Sequence, residues 1–113
     1  MTAALTATVL LLQPPEPVPH CGVFHFVERA QVKVVSPVDG LPTEPLWVAI
    51  SCPEMQPRLA AGDTLCMTIT ADNPGWPAPV RPLPPEETLR YALTIAAGPC
   101  PPGDAAGDGA SGQ

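Results

Sequence analysis

The sequence predicts a small all-β domain, a five-stranded barrel with proline-rich loops and a disordered C-terminal tail. Five segments carry apolar residues at alternate positions, which is typical of strands that bury one face. The chain's 18 prolines all fall outside these segments, between them or after the last one, and leave room for almost no helix. At 113 residues, the chain has the length of one domain.

Residues 2–13 form the first predicted strand. Threonine and valine favour a strand there, although alanine and leucine also form helices well. Four prolines within residues 14–19 exclude a helix and a central strand, so this segment is predicted to be an extended connector. Residues 22–35 form the longest predicted strand. The alternation of apolar residues changes phase near residues 27–29, which predicts a bulge or a break.

Residues 46–52 form the clearest buried strand, which ends at Pro53 because proline cannot donate to a sheet ladder. Two prolines within residues 53–62 leave room for at most one helical turn. Thr64–Thr70 is the fourth predicted strand and residues 88–96 the fifth. The fifth strand carries four apolar or aromatic residues on one face: Leu89, Tyr91, Leu93 and Ile95.

The domain is predicted to span residues 1–97. Residues 98–113 are mainly glycine, alanine, aspartate and proline, so they can bury almost nothing and are expected to be disordered. We therefore expect Cys100 to be exposed and Cys52, at the end of the third strand, to be buried.

The number and order of the strands resemble the OB-fold plan, in which the element between strands three and four is often a helix. Closure into a barrel would also remove the exposed edges of a five-stranded sheet. An immunoglobulin-like sandwich is the alternative, but it requires about seven strands. Residues 21–26, 51–54 and 61–63 are also similar to small uncharacterised bacterial proteins, and this resemblance implies no activity.

The net charge of −6 disfavours nucleic acids and anionic membranes as partners. Nucleic-acid binding draws much of its affinity from neutralised phosphates, and anionic membrane surfaces attract basic segments. The basic residues are few and scattered: Arg29, Lys33, Arg58, Arg81 and Arg90. We therefore expect an acidic, soluble protein that binds neither nucleic acid nor membrane.

The four cysteines show no C-x-x-C spacing and allow three full pairings. A disulfide between Cys21 and Cys52 would join the start of the long strand to the end of its neighbour. Such a bond requires an oxidising compartment. The N-terminus lacks the basic region of a signal peptide, so the cytoplasm is the default expectation.

His20, Cys21 and His25 form the densest group of reactive side chains in the sequence, and the fold could bring Cys52 and Glu54 near them in space. Thiolate and imidazole bind zinc, but the spacing matches no zinc finger or ribbon, and on a strand Cys21 and His25 would lie roughly 13 Å apart. A small metal-binding or cysteine-dependent enzyme using His25 with Cys21 or Cys52 is the alternative function. The sequence assigns no catalytic residue, metal site or cofactor.

Residues 72–87 form a proline-rich loop that contains Trp76. Arg81, Pro82 and Pro84 lie in a segment similar to the peptides that SH3 domains bind, in which prolines dock in aromatic grooves and the arginine pairs with an acid. We predict that a protein partner meets Trp76, Arg81, Pro82 and Pro84.

The favoured function is a non-enzymatic binding or structural module. An adaptor that presents a proline-rich ligand is a further alternative, and a stiff loop with Trp76 packed on the barrel end is the simplest structural explanation.

Overall fold

The computed structural model describes residues 4–102 and shows five strands closed into a barrel. The strands are β1 (Leu5–Gln13), β2 (Val27–Val34), β3 (Leu46–Ser51), β4 (Thr64–Thr70) and β5 (Leu89–Ala97). A 3₁₀ turn at Pro53–Met55 supplies the single turn expected between strands three and four. Within residues 4–102, no helix has the length and apolar character needed to cross a membrane. The predicted all-β class and five-stranded barrel are confirmed.

The strand order around the barrel is β1-β2-β3-β5-β4, and β4 pairs with β1 to close it. Every neighbouring pair is antiparallel except β3 and β5, which run parallel. Because of this arrangement, the loops 14–26 and 52–63 lie at the same end of the barrel. We call it the disulfide end, since Cys21 and Cys52 are joined there.

The barrel interior is filled by aliphatic side chains, as the low aromatic content requires. The buried cluster consists of Ala7, Val9, Leu11, Ala30, Val32, Val34, Leu46, Val48, Ile50, Leu65, Met67, Ile69 and Ala92. No aromatic residue belongs to this cluster among the described residues. The period-two alternation predicted for β1, β3 and β4 puts their apolar residues inside.

Strand β5 does not keep the alternation that its sequence shows. Thr68 pairs with Thr94 and Ile69 with Ala92, so the register skips Leu93 at a bulge. Leu93 is consequently 40% exposed, whereas Ala92 is buried at 3%. The bulge therefore replaces the predicted apolar face with one that buries Ala92 and packs Ile95 against the core.

The predicted long second strand is shorter than expected, because β2 begins only at Val27. Before it, Gly22 N–H donates to the Phe24 carbonyl (3.1 Å) and closes a tight turn. Cys52 N–H then donates to the Phe26 carbonyl (2.9 Å), and the left-handed backbone of Cys52 (φ 47°) ends β3. The break predicted near residues 27–29 corresponds to the true start of the strand.

The C-terminal boundary predicted at residue 97 is too early. Gly98 N–H donates to the Thr64 carbonyl (2.9 Å), and Cys100 N–H donates to Thr8 Oγ1 (3.0 Å). Cys100 is only 9% exposed and forms a disulfide with Cys66 of β4, so the prediction that it is exposed is wrong. Cys52, expected to be buried, is half-buried and disulfide-bonded. The rest of the predicted tail, residues 103–113, lies outside the described residues.

Truncating Ile50 tests the aliphatic core. Ile50 is fully buried near the end of β3. We expect Ile50→Ala to lower the free energy of unfolding by ~2–5 kcal/mol and Ile50→Val by ~1 kcal/mol, because each leaves a cavity of different size. Urea unfolding followed by tryptophan fluorescence measures both. Val35→Ala, at a side chain 56% exposed, is the control and should change stability little.

Removing either disulfide should destabilise the domain by a similar amount. The bonds join residues 31 and 34 positions apart, and loop-closure entropy depends weakly on length. We expect Cys66→Ala with Cys100→Ala, or Cys21→Ala with Cys52→Ala, to cost roughly 2–4 kcal/mol each in the free energy of unfolding. An unchanged urea midpoint in the first double variant would contradict the observed position of Cys100.

Candidate functional site

The outer face of β2, β3 and β5 carries polar and aromatic side chains in register. Two rows cross it, Arg29–Ala49–Tyr91 and Gln31–Trp47–Leu89. Ala49 is fully buried although it does not belong to the core cluster, so another segment must cover this face. The Arg29 guanidinium stacks over the Trp47 ring, 4.8 Å from its centroid.

The covering segment is the proline-rich loop, residues 71–88. It leaves β4 at the end opposite the disulfide end, and its middle reaches the start of β2, where Val80 N–H donates to the Val27 carbonyl (2.8 Å). The loop then returns, and the Pro82 carbonyl accepts a hydrogen bond from Arg29 Nη1 (3.0 Å). The loop is thus bonded to the outer face of the barrel.

A turn at Asn73 fixes the position of Trp76. The side-chain carbonyl of Asn73 accepts hydrogen bonds from Gly75 N–H (2.9 Å) and Trp76 N–H (2.7 Å), while its amide donates to the Trp76 carbonyl (3.1 Å). Gly75 has φ 95°, a backbone conformation that favours glycine. An asparagine that bonds the backbone two and three residues later is a recognised turn former, and here it orients the indole.

The Trp76 ring lies between two other rings. Its centroid is 6.1 Å from the Tyr91 ring and 6.1 Å from the His25 ring, and both contacts are edge-to-face. His25 is exposed, and Trp76 and Tyr91 are half-buried. We call His25, Trp76 and Tyr91 the aromatic row. The sequence analysis identified Trp76 but did not connect it with the other two, because the contacts depend on the path of the loop.

Arg81 has a structural role in this fold. Its backbone N–H donates to Glu28 Oε1 (3.0 Å), and its guanidinium donates to Glu28 Oε2. Glu28 is fully buried, whereas the Arg81 side chain is 39% exposed and also lies 3.7 Å from Glu16. The hydrogen bond to Glu28 raises the pKa of Arg81. Arg81 therefore neutralises a buried carboxylate of its own barrel.

The four predicted partner-binding residues therefore have different surroundings. Trp76 lies in the aromatic row, and Arg81 binds Glu28. Pro82 is exposed but its carbonyl is bonded to Arg29, and Pro84 is exposed. The sequence analysis did not identify Glu28 as the partner of Arg81. A signal for it was present, because the alternation of the second strand assigns this charged residue to the interior, where it needs a partner.

His25 Nε2 and Ser51 Oγ lie 2.6 Å apart, within the range of a base and a nucleophile. Acyl transfer would also need donors for the developing oxyanion, and in many hydrolases the residue after the nucleophile supplies its N–H. Here the N–H of Cys52 is occupied by the Phe26 carbonyl. The His25–Ser51 contact positions the imidazole beside Trp76.

The structure joins Cys21 to Cys52, the pair that the sequence analysis considered for a disulfide. Neither sulfur is then available as a metal ligand or a nucleophile. Glu54 Oε2 accepts a hydrogen bond from Cys21 N–H (2.8 Å) and lies 3.8 Å from His20 Nδ1. The described residues contain no group of three or more histidines, cysteines, aspartates and glutamates placed to hold a metal ion.

An open groove of about 420 Å³ lies at the disulfide end. The connector contributes Pro15, Pro17 and Val18 to its lining, and the 53–59 segment contributes Pro53, Pro57 and Leu59. Proline side chains make its shape stiff. The aromatic row does not line this groove.

Comparison of the chain with protein-family models, with curated proteins and with solved structures finds no match in any of the three. The function must therefore be inferred from the geometry of the site itself. The features available are the aromatic row, the Arg29–Trp47 stack and the loop that covers the barrel.

The Arg81–Glu28 pair yields a stability prediction. Arg81→Ala should destabilise the protein more than Ile50→Val does, because it leaves a buried carboxylate without its partner. Arg81→Leu combined with Glu28→Leu should recover much of that loss. Urea unfolding of the single and double variants gives the coupling between the two sites. If Arg81→Ala is as stable as the wild type, the ion pair does not hold the loop.

Glu54 gives a prediction on pH. The Cys21 N–H, then the backbone N–H of Glu54 itself and the charge of His20 keep the pKa of Glu54 below its usual value. Its stabilising contribution is therefore present above the usual carboxylate pKa and is lost as the pH falls through the lowered pKa. We expect Glu54→Gln to reduce the loss of stability between about pH 5 and about pH 2, measured by thermal unfolding. Equal pH dependence in both proteins would contradict this role.

Proposed function

We propose that this protein is a non-enzymatic binding module whose ligand is a partner protein that contacts the aromatic row. The observation that carries the proposal is the half-exposed Trp76, held between His25 and Tyr91 by the Asn73 turn. A fixed tryptophan offers a large contact area, and little conformational entropy is lost when a partner covers it.

The length of the loop supports this proposal. Strands β4 and β5 are antiparallel neighbours, and a turn of two to five residues usually joins such a pair. Residues 71–88 are far more than this connection needs. Long loops in compact domains are usually functional, and this one places a tryptophan on the outer face of the barrel.

The type of partner follows from charge and side-chain chemistry. Tryptophan, tyrosine and arginine are enriched at the centres of protein interfaces, and Trp76, Tyr91 and Arg29 lie on this face. OB-like barrels commonly present the outer face of strands two and three, with the adjoining loops, to oligonucleotides and oligosaccharides. That fold-level analogy favours this surface but not these ligands, and the net charge of −6 disfavours a nucleic acid.

The two alternative functions have less support. A cysteine-dependent enzyme or a metal site would first require reduction of the Cys21–Cys52 bond. An adaptor that presents the Arg81–Pro85 segment would require Arg81 to leave the buried Glu28. Both would therefore work against contacts that stabilise the barrel.

The compartment is part of the proposal. A cytoplasmic location, the default expectation from the sequence, stays a prediction. The two disulfides weigh against it, because such bonds form and persist in oxidising compartments. We infer that the protein works in an oxidising environment.

The test is an affinity purification from the native host, followed by titration calorimetry with the purified partner. Trp76→Ala should weaken binding at least about tenfold, since central aromatic residues dominate interface energetics. Leu93→Ala, at a side chain 40% exposed on β5, is the control and should bind normally. Arg81 is left intact, since its removal would perturb the fold. Equal binding by Trp76→Ala and the wild type would refute the proposed surface.

A further inference from the structure

Three large apolar side chains project from the disulfide end. Val23 is 94% exposed, Phe24 is 70% exposed and Met55 is 74% exposed. Val23 and Phe24 follow Cys21, and Met55 lies in the 3₁₀ turn that follows Cys52. The three therefore flank the disulfide from its two sides, and we call them the apolar knob.

Several bonds fix the turn that carries Val23 and Phe24. The Cys21–Cys52 disulfide and the hydrogen bond from Cys21 N–H to Glu54 (2.8 Å) attach its start to the other loop. Phe26 N–H contacts Cys21 Sγ (3.4 Å), and the Phe26 ring lies edge-on to that of Phe24 with centroids 6.4 Å apart. A turn fixed in this way exposes its apolar side chains without the ordering cost that a flexible loop would have on binding.

We propose that the apolar knob inserts into an apolar pocket of the partner protein and that the rim of this pocket is basic. The proposal rests on the proposed function and names the chemistry of the partner. Contiguous exposed apolar side chains mark interaction sites, and phenylalanine and methionine are enriched at interfaces.

The charges around the apolar knob indicate the charge expected at the rim of the partner's pocket. The loops 14–26 and 52–63 carry three carboxylates, Glu16, Glu54 and Asp63, against one guanidinium, Arg58. The Arg81 guanidinium also lies 3.7 Å from Glu16, but the carboxylate of Glu28 offsets its charge. Glu54 lies beside the disulfide, where its carboxylate accepts a hydrogen bond from Cys21 N–H, and like any carboxylate of ordinary or lowered pKa it is charged at neutral pH. A basic rim complements this field, whereas a second copy of the chain or an anionic lipid surface would be repelled by it.

The knob is continuous with the aromatic row. Phe24 is followed directly by His25, whose ring contacts Trp76. A partner that covers Trp76 therefore reaches Phe24 along the same side of the barrel, around the start of β2. One interface includes both, with the knob as its apolar anchor.

The experiment places a photo-crosslinking amino acid at position 24 and, as a matched control, at position 35. Val35 is 56% exposed and follows β2 at the end of the barrel opposite the knob. Crosslinked species from the native host are identified, and the purified partner is titrated against Phe24→Ser and Val35→Ser. We expect a crosslink from position 24 alone. We also expect about a thirtyfold loss of affinity in Phe24→Ser, the loss typical of a hot-spot residue, and little change in Val35→Ser.

Further measurements separate this proposal from its competitors. Affinity should fall with rising salt and fall in Glu54→Gln, since the proposed rim is basic. Binding to phosphatidylcholine vesicles that depends on Phe24 would overturn the proposal in favour of a lipid surface. A dimer in sedimentation velocity that Phe24→Ser abolishes would overturn it in favour of a second copy.

The failure of this inference is distinguishable from that of the proposed function. A partner lost in Trp76→Ala but bound normally by Phe24→Ser refutes the knob and leaves the aromatic row as the binding surface. A partner lost in Phe24→Ser but bound normally by Trp76→Ala supports the knob and refutes the aromatic row. Circular dichroism is recorded for each variant and for the wild type. A spectrum equal to that of the wild type establishes that a loss of binding is not caused by a loss of folding.

Discussion

A buried carboxylate determines where the proline-rich loop lies. Glu28 occupies an inward position at the start of β2, and an unpaired charge there would be strongly destabilising. Arg81 satisfies both of its oxygens, one through the backbone and one through the guanidinium. To bring Arg81 there from the far end of β4, the loop has to run along the outer face of the barrel. Because the loop follows this path, it covers Ala49 and places Trp76 on the outer face.

Closure of the barrel leaves little strand edge exposed. Within residues 4–102, each of the five strands has a neighbour on both sides, and the start of β2, which β1 does not reach, is bonded by the loop through Val80 N–H and the Val27 carbonyl. The interior is filled with aliphatic side chains, and the buried polar residues among those described are the paired Glu28 and Thr70. The proposed recognition therefore uses the outer face and the loops at the ends, where the tryptophans and the exposed Phe24 are found.

Much of the fold was predictable because a strand with one buried face shows alternating apolar and polar residues in the sequence. The five strands, the turn after β3 and the aliphatic core follow from residues such as Val48, Ile50 and Met67. The bulge at Leu93 was not predictable, since an alternating segment gives no sign that its partner strand will skip a residue. Cys100 was misplaced for a different reason. Its glycine- and proline-rich surroundings suggested a tail, although an even number of cysteines left Cys66 as its only remaining partner once Cys21 and Cys52 were paired.

The candidate site was less predictable than the fold, because its parts are distant in sequence. His25, Ser51, Trp76 and Tyr91 meet only after the loop has folded over the barrel. A proline-rich segment with an arginine can equally be a ligand for another protein or a segment that binds its own barrel. The sequence alone does not distinguish these states, because it does not show whether the arginine pairs with an acid of its own chain or of another. Here Glu28 supplies that acid from within, so the segment that resembles a ligand is bound to its own barrel and supports the surface proposed to bind a partner.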